Sequence, residues 1–184
     1  MEYLQFGCQV LVGGVFAVSA GSKVYSRAAF ADFAAATTRL TGAGTGRARQ
    51  LAAGTVAAEI AVVVALIVPV LVPWGFAGGI GLLAVFSAAI VRSLRRGQRA
   101  PCRCFGASSS PLGTQHVARN AVLAAIGALG IAASLSEVTS SLDIGLACVV
   151  AFAALLGVVL TARLDDLIGL FRATTATSQL GKHQ

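Results

Sequence analysis

A chain of 184 residues, 57% hydrophobic and only 11% charged, falls well short of the roughly one-quarter charged residues of a soluble domain. Its formal net charge of +7 argues for nucleic acid only until the basic residues are placed: they flank apolar runs, as topology signals do, and suit anionic lipid headgroups. Composition therefore points to an integral membrane protein with little room for a soluble domain.

Apolar runs of about 18 or more residues read as transmembrane helices. Five occur, at about 3–20, 51–72, 74–91, 117–135 and 144–162, and they predict an all-α, polytopic helical bundle forming one membrane-embedded domain. The third is the weakest, since Pro73, Gly75, Gly78, Gly79 and Gly81 crowd its start. Pro69 and Pro73 mark a tight turn between the second and third spans.

All the lysines and arginines then fall on one side. Lys23, Arg27, Arg39, Arg47 and Arg49 follow the first span. Arg92, Arg95, Arg96, Arg99 and Arg103 follow the third, with Arg119 just inside the fourth. Arg163, Arg172 and Lys182 belong to a tail at 163–184. The other side carries Glu2, Glu137 and Asp143. The positive-inside rule places the N-terminus outside and the tail in the cytoplasm. Met1-Glu2-Tyr3 lacks a positive n-region, so the first span is expected to be retained rather than cleaved.

Between the first two spans, Phe30, Phe33, Ala36 and Leu40 share one helical face, which predicts a short helix at the headgroup level. Its second half reads equally well as a polar loop ending in Thr41-Gly42-Ala43-Gly44-Thr45-Gly46. That glycine run is no phosphate loop, lacking the preceding strand and the Gly-Lys-Ser/Thr ending.

The chemistry-bearing residues are few. Cys102 and Cys104 stand one residue apart in Arg99-Ala100-Pro101-Cys102-Arg103-Cys104-Phe105-Gly106. A disulfide there would close a very small, strained ring, and strained disulfides exchange readily. The neighbouring arginines favour the thiolate, the nucleophile of exchange. Two alternatives stand beside this redox reading: incidental cysteines kept reduced, or a metal site, for which Cys102, Cys104 and His116 supply too few ligands. Cys8 and Cys148 lie about five residues in from the outer ends of the first and fifth spans, roughly 7 Å below the membrane face. They could meet if those helices are neighbours, or serve simply as small apolar residues. Glu59 is the one charge deep within a span, and an intramembrane carboxyl belongs inside the bundle. It reads either as a proton carrier or as structural polar glue, with Lys23 or Asn120 as its partner. Arg119-Asn120 reads as a cap and anchor for the fourth span.

Cys102-Arg103-Cys104-Phe105-Gly106, followed by Arg119-Asn120 at a helix start, resembles the signature of the MauE family, the methylamine-utilisation membrane proteins related to DoxX. Gly21-Ser22-Lys23 and Glu59 are similar to the same pattern, and the likeness runs from Leu11 to Ile131. It implies a multi-pass inner-membrane protein associated with disulfide formation or maturation of exported proteins, alongside a thioredoxin-like partner.

The leading expectation is a thiol–disulfide relay, an oxidoreductase role, in which Cys102/Cys104 exchange with a Cys8/Cys148 pair serving an exported thioredoxin-like protein. Pairs about 20 Å apart across the bilayer cannot exchange directly, so the loop must re-enter or the bundle open. A cytoplasmic thioredoxin at the Cys102/Cys104 side would favour reducing power moving outward. No cofactor is expected, and no quinone site is read from these residues. The alternatives are a non-catalytic scaffold for an exported redox protein, or a small transporter lined by Glu59 and Lys23.

Overall fold

The computed structural model describes residues 1–96, 114–136 and 143–180, with side chains at 1–96, 115–136 and 143–163. These residues form six helices and no strand: α1 (Glu2–Val24), α2 (Arg27–Thr41), α3 (Thr45–Ile67), α4 (Val72–Arg95), α5 (Thr114–Ser134) and α6 (Ile144–Leu180). Five segments are long and apolar enough to cross a membrane: Glu2–Val24, Thr45–Ile67, Pro69–Arg95, Gln115–Ser134 and Ile144–Arg163. The five expected spans are all present, so the chain is an all-helical, multi-pass membrane bundle.

The span boundaries moved where polar residues extend a helix beyond its apolar run. α3 starts at Thr45, taking Arg47 and Arg49 into its first turns, and ends at Ile67 rather than near Val72. Val68 is extended, as a residue before proline must be. Pro69–Leu71 then makes one 3₁₀ turn into α4, with Pro73 in the first turn, where its missing N–H costs nothing.

The glycine-crowded start of α4 is regular helix, and its packing explains the composition. A Cβ on Gly75 would come within 2.9 Å of the Leu66 backbone nitrogen. Only the bare backbone lets α4 lie this close to α3.

Of the two readings of the stretch after the first span, the helical one holds as far as Thr41, and only residues 42–44 separate α2 from α3. The Ser26 hydroxyl caps α2 by accepting from the Ala29 N–H at 3.0 Å. Gly42, at φ +70°, ends it in the left-handed conformation that glycine adopts without strain. Phe33 and Ala36 are buried. Phe33 packs with Ala52 and Val56 of α3, and Leu40 packs against Ile90, as Leu94 and Val117 do.

α1 is the hub, packing against all the other helices, while α4 and α5 form a second close pair. Their shared core includes Val12, Val15, Phe16, Leu66, Phe76 and Leu123. α6 leans chiefly on α1 and leaves Val149, Phe152, Leu156 and Val159 exposed, as a lipid-facing helix does.

Two contacts fix how the helix ends group. Gln9 donates Nε2 to the Leu66 carbonyl at 2.9 Å, so α1 and α3 run antiparallel. The Asp143 N–H donates to the Tyr3 hydroxyl at 2.8 Å, tying the start of α6 to the start of α1. The opposite end gathers Lys23, Arg92, Arg95, Arg96 and Arg119, and is the basic end of the bundle.

Candidate functional site

Helical side chains tilt back toward their own N-termini. Lys23, in the last turn of α1, therefore leans inward from the basic end. Glu59, on antiparallel α3, leans toward that end to meet it. Lys23 Nζ lies 2.8 Å from Glu59 Oε1 and 3.0 Å from Oε2. The two side chains are 2% and 0% exposed, so this is a fully buried ion pair.

Ser19, one turn before Lys23, closes the group. Its hydroxyl donates to Glu59 Oε1 at 3.0 Å and accepts from Lys23 Nζ at 2.6 Å. Nζ also reaches the Ser19 carbonyl at 3.3 Å. The Phe33 ring of α2 covers the ammonium with its centroid 5.1 Å away, a cation–π contact. Stripping two ions of water costs several kcal/mol each unless geometry and added hydrogen bonds offset it. Here both carboxylate oxygens are engaged, and the ammonium meets a carboxylate, a hydroxyl, a carbonyl and an aromatic ring. Three helices, α1, α2 and α3, are fastened at one point.

The expected facing of Glu59 is thus met, and its cation is Lys23. Asn120 does something else: its Nδ2 donates to the Ser87 hydroxyl at 3.3 Å, and Ser87 donates to the Leu83 carbonyl at 2.8 Å. This joins α5 to α4. Asn120 Oδ1 is buried with no hydrogen-bond partner among the described residues. Because α5 begins at Thr114, Arg119 and Asn120 lie in its second turn, past the capping positions. Both are buried, as are Ser93 and His116. The last turns of α4 and the first turns of α5 therefore carry a second polar layer. Ser22, within the Gly-Ser-Lys string, only donates to the Ser19 carbonyl at 2.8 Å and stands outside the ion pair.

Sequence reasoning missed Ser19 and Phe33. The signal for Ser19 was its i, i+4 spacing to Lys23 in an otherwise apolar helix. Phe33 lies on the face of α2 that the sequence predicts, but nothing local ties that face to a lysine.

The thiols are less gathered. Cys8 is buried in the core and Cys148 is exposed, and both are free. The helices that carry them are neighbours, so the condition for the two thiols to meet is present. Yet α6 meets α1 at this level through Val150, which stands 3.0 Å from a Cβ placed on Gly7. Cys148, two residues earlier, is turned by about 200° to the outward face. Cys102 and Cys104 lie outside the described residues, between Arg96 and Thr114.

Apolar grooves open on the surface of the described residues, and three of them bear on the candidate residues. One of about 490 Å³ lies between α1 and α3 at Gln9 and Gly13. Another, of about 370 Å³, runs past Cys8 and Val150. The third, of about 420 Å³, lies between α5 and α6 at Arg119 and Thr161. Lys23 and Glu59 line none of these three, so the ion pair is closed toward them.

No curated protein and no solved structure matches this chain. The family model of methylamine utilisation protein MauE matches residues 1–133, the stretch from α1 almost to the end of α5. The matched stretch holds the ion pair, the Cys-x-Cys string and Arg119-Asn120, and leaves α6 outside; the chain belongs to the MauE family.

Proposed function

We propose that this protein is an inner-membrane thiol–disulfide relay in which Cys102 and Cys104 exchange with a thioredoxin-like partner, in support of exported-protein maturation. The observation that supports this reading most is the closed Lys23–Ser19–Glu59 group at the basic end of the bundle. The Cys-x-Cys segment is tethered to the same end. Cys102 follows Arg96 by six residues, and at about 3.5 Å per residue chain length alone keeps it within about 21 Å of the end of α4.

In one exchange, a partner thiolate attacks one sulfur of the Cys102–Cys104 disulfide and forms a mixed disulfide. The released sulfur takes a proton. The partner's second thiol, once deprotonated, attacks the mixed disulfide, leaving the partner oxidised and Cys102/Cys104 reduced. Electrons and protons balance between the two dithiols. Arg92, Arg95, Arg96 and Arg119 supply a positive field that favours thiolates. The ion pair anchors α1, α2 and α3 at the basic end and offers a carboxylate and an amine between which a proton can be held.

We confine the exchange to Cys102 and Cys104, since Cys148 faces away from Cys8. Mass-tagging of free thiols in native membranes tests the reading. A relay gives Cys102/Cys104 in both reduced and oxidised forms, with the ratio shifting when the thioredoxin-like partner is removed. A single redox form, indifferent to that partner, favours the non-catalytic scaffold.

A further inference from the structure

We propose that the groove between α5 and α6 is a binding site for an anionic phospholipid, with its phosphate at Arg119 and one acyl chain along the groove floor. The inference is independent of the thiol chemistry. At the basic end the groove is lined by Gln115, Arg119 and Thr161; below them the wall is apolar, through Val122, Ile126 and Leu160. Polar and apolar parts are thus ordered along the bilayer normal as they are in a lipid.

Length agrees with this occupant. From Gln115 to Ile126 the groove follows eleven residues of helix, or about 16 Å at the α-helical rise. One leaflet of a hydrocarbon core about 30 Å thick is about 15 Å deep. A single acyl chain fits that span, whereas a compact polar solute would leave the apolar wall uncovered.

Charge selects the headgroup. Arg119 is only 8% exposed, so its guanidinium is built into the groove wall instead of trailing in water. The planar fork of N–H donors matches a phosphate better than a neutral acceptor. Arg92, Arg95 and Arg96 crowd the same end of the bundle and add to the attraction for anionic lipid.

The test is native mass spectrometry of the full chain in detergent with equimolar phosphatidylglycerol and phosphatidylcholine. The wild type should retain phosphatidylglycerol about fivefold over phosphatidylcholine, the preference worth about one near-surface cation. Arg119→Gln should remove most of the preference, and Arg119→Lys, which keeps the charge but loses the planar fork, should keep only part of it. Ala118→Phe fills the groove from an exposed position without disturbing the core, and should lower retention of both lipids even if Arg119→Gln fails to fold. Arg163→Gln, an exposed arginine outside the groove lining, should change nothing. Equal retention of the two lipids by the wild type, loss of preference in Arg163→Gln alone, or retention of a quinone in place of phospholipid would each overturn the assignment.

Discussion

Lys23 and Glu59, on antiparallel helices and 36 positions apart in the chain, meet at 2.8 Å with Ser19 bridging both. An ion pair so completely buried gains little over apolar packing, yet losing one partner strands the other charge. Glu59→Gln and Lys23→Met should each lower stability by about 3–5 kcal/mol. The double variant Lys23→Met/Glu59→Gln should regain most of that loss. Denaturant unfolding in detergent micelles reads all three. If the double variant folds well yet fails to support maturation of the exported client, the pair does more than hold helices. Full maturation in the double variant would leave it a structural contact.

Ser19→Ala removes one hydroxyl that serves both ions. A hydrogen bond to a charged group contributes about 1.5–3 kcal/mol, so the variant should sit between wild type and the broken ion pair. Phe33→Leu keeps the apolar contact with Ala52 and Val56 while losing the ring over Lys23, at a cost of about 0.5–2 kcal/mol. A loss in Phe33→Leu that persists undiminished in the Lys23→Met background would show that the ring acts through packing alone.

Gly75 is the narrowest point between α3 and α4. Because the obstacle is the backbone nitrogen of Leu66, no rotamer change relieves the clash. Gly75→Leu should cost at least about 1–3 kcal/mol, the usual range for overpacking. Gly81→Leu, where an added Cβ meets nothing within 4 Å, should be tolerated, and equal effects at the two positions would refute the close-approach argument.

These residues also show what could be read from the chain alone. The five spans were legible because hydrocarbon thickness demands long apolar runs, and Glu59 was placed inside because lipid penalises a bare carboxyl. Helix ends were not: Arg47 and Arg49 continue α3 beyond its apolar run, and hydropathy does not register polar residues that remain helical. Asn120 and Cys148 fell short for a different reason. Depth along a helix follows from counting residues, but the face a residue presents depends on how its helix is rotated against its neighbours. That rotation assigns Asn120 to Ser87 and turns Cys148 away from Cys8.

The one-sided arginines predict, by the positive-inside rule, that the basic end lies in the cytoplasm, and we propose that orientation. In a background lacking native cysteines, Arg39→Cys should be labelled by a membrane-impermeant maleimide only after the cells are opened. Asp143→Cys, exposed at the opposite end beside Tyr3, should be labelled in intact cells. The reverse pattern would invert the bundle and move the Cys102/Cys104 chemistry to the exported side.

The decisive experiment concerns Cys102 and Cys104. If they form an exchanging pair, the exchange also runs in reverse, a thiolate of the pair attacking the partner's disulfide; replacing one cysteine then removes the thiol that resolves the mixed disulfide, and the partner stays bound. Cys102→Ser or Cys104→Ser should therefore trap a covalent complex that dissolves on reduction, and the cysteine whose partner is the attacking thiol should trap more of it. The arginines around the pair should make that thiol react with iodoacetamide below the pH at which an ordinary cysteine does. Cys8→Ser should lower stability slightly through its buried position, and Cys148→Ser should have no effect, since that thiol is exposed. Neither should alter trapping if the exchange is confined to Cys102 and Cys104. Equal loss of client maturation in Cys8→Ser and Cys148→Ser would instead restore the transmembrane relay and require α6 to rotate on α1. Normal maturation in the Cys102→Ser/Cys104→Ser double variant would end the redox reading and leave the scaffold in its place.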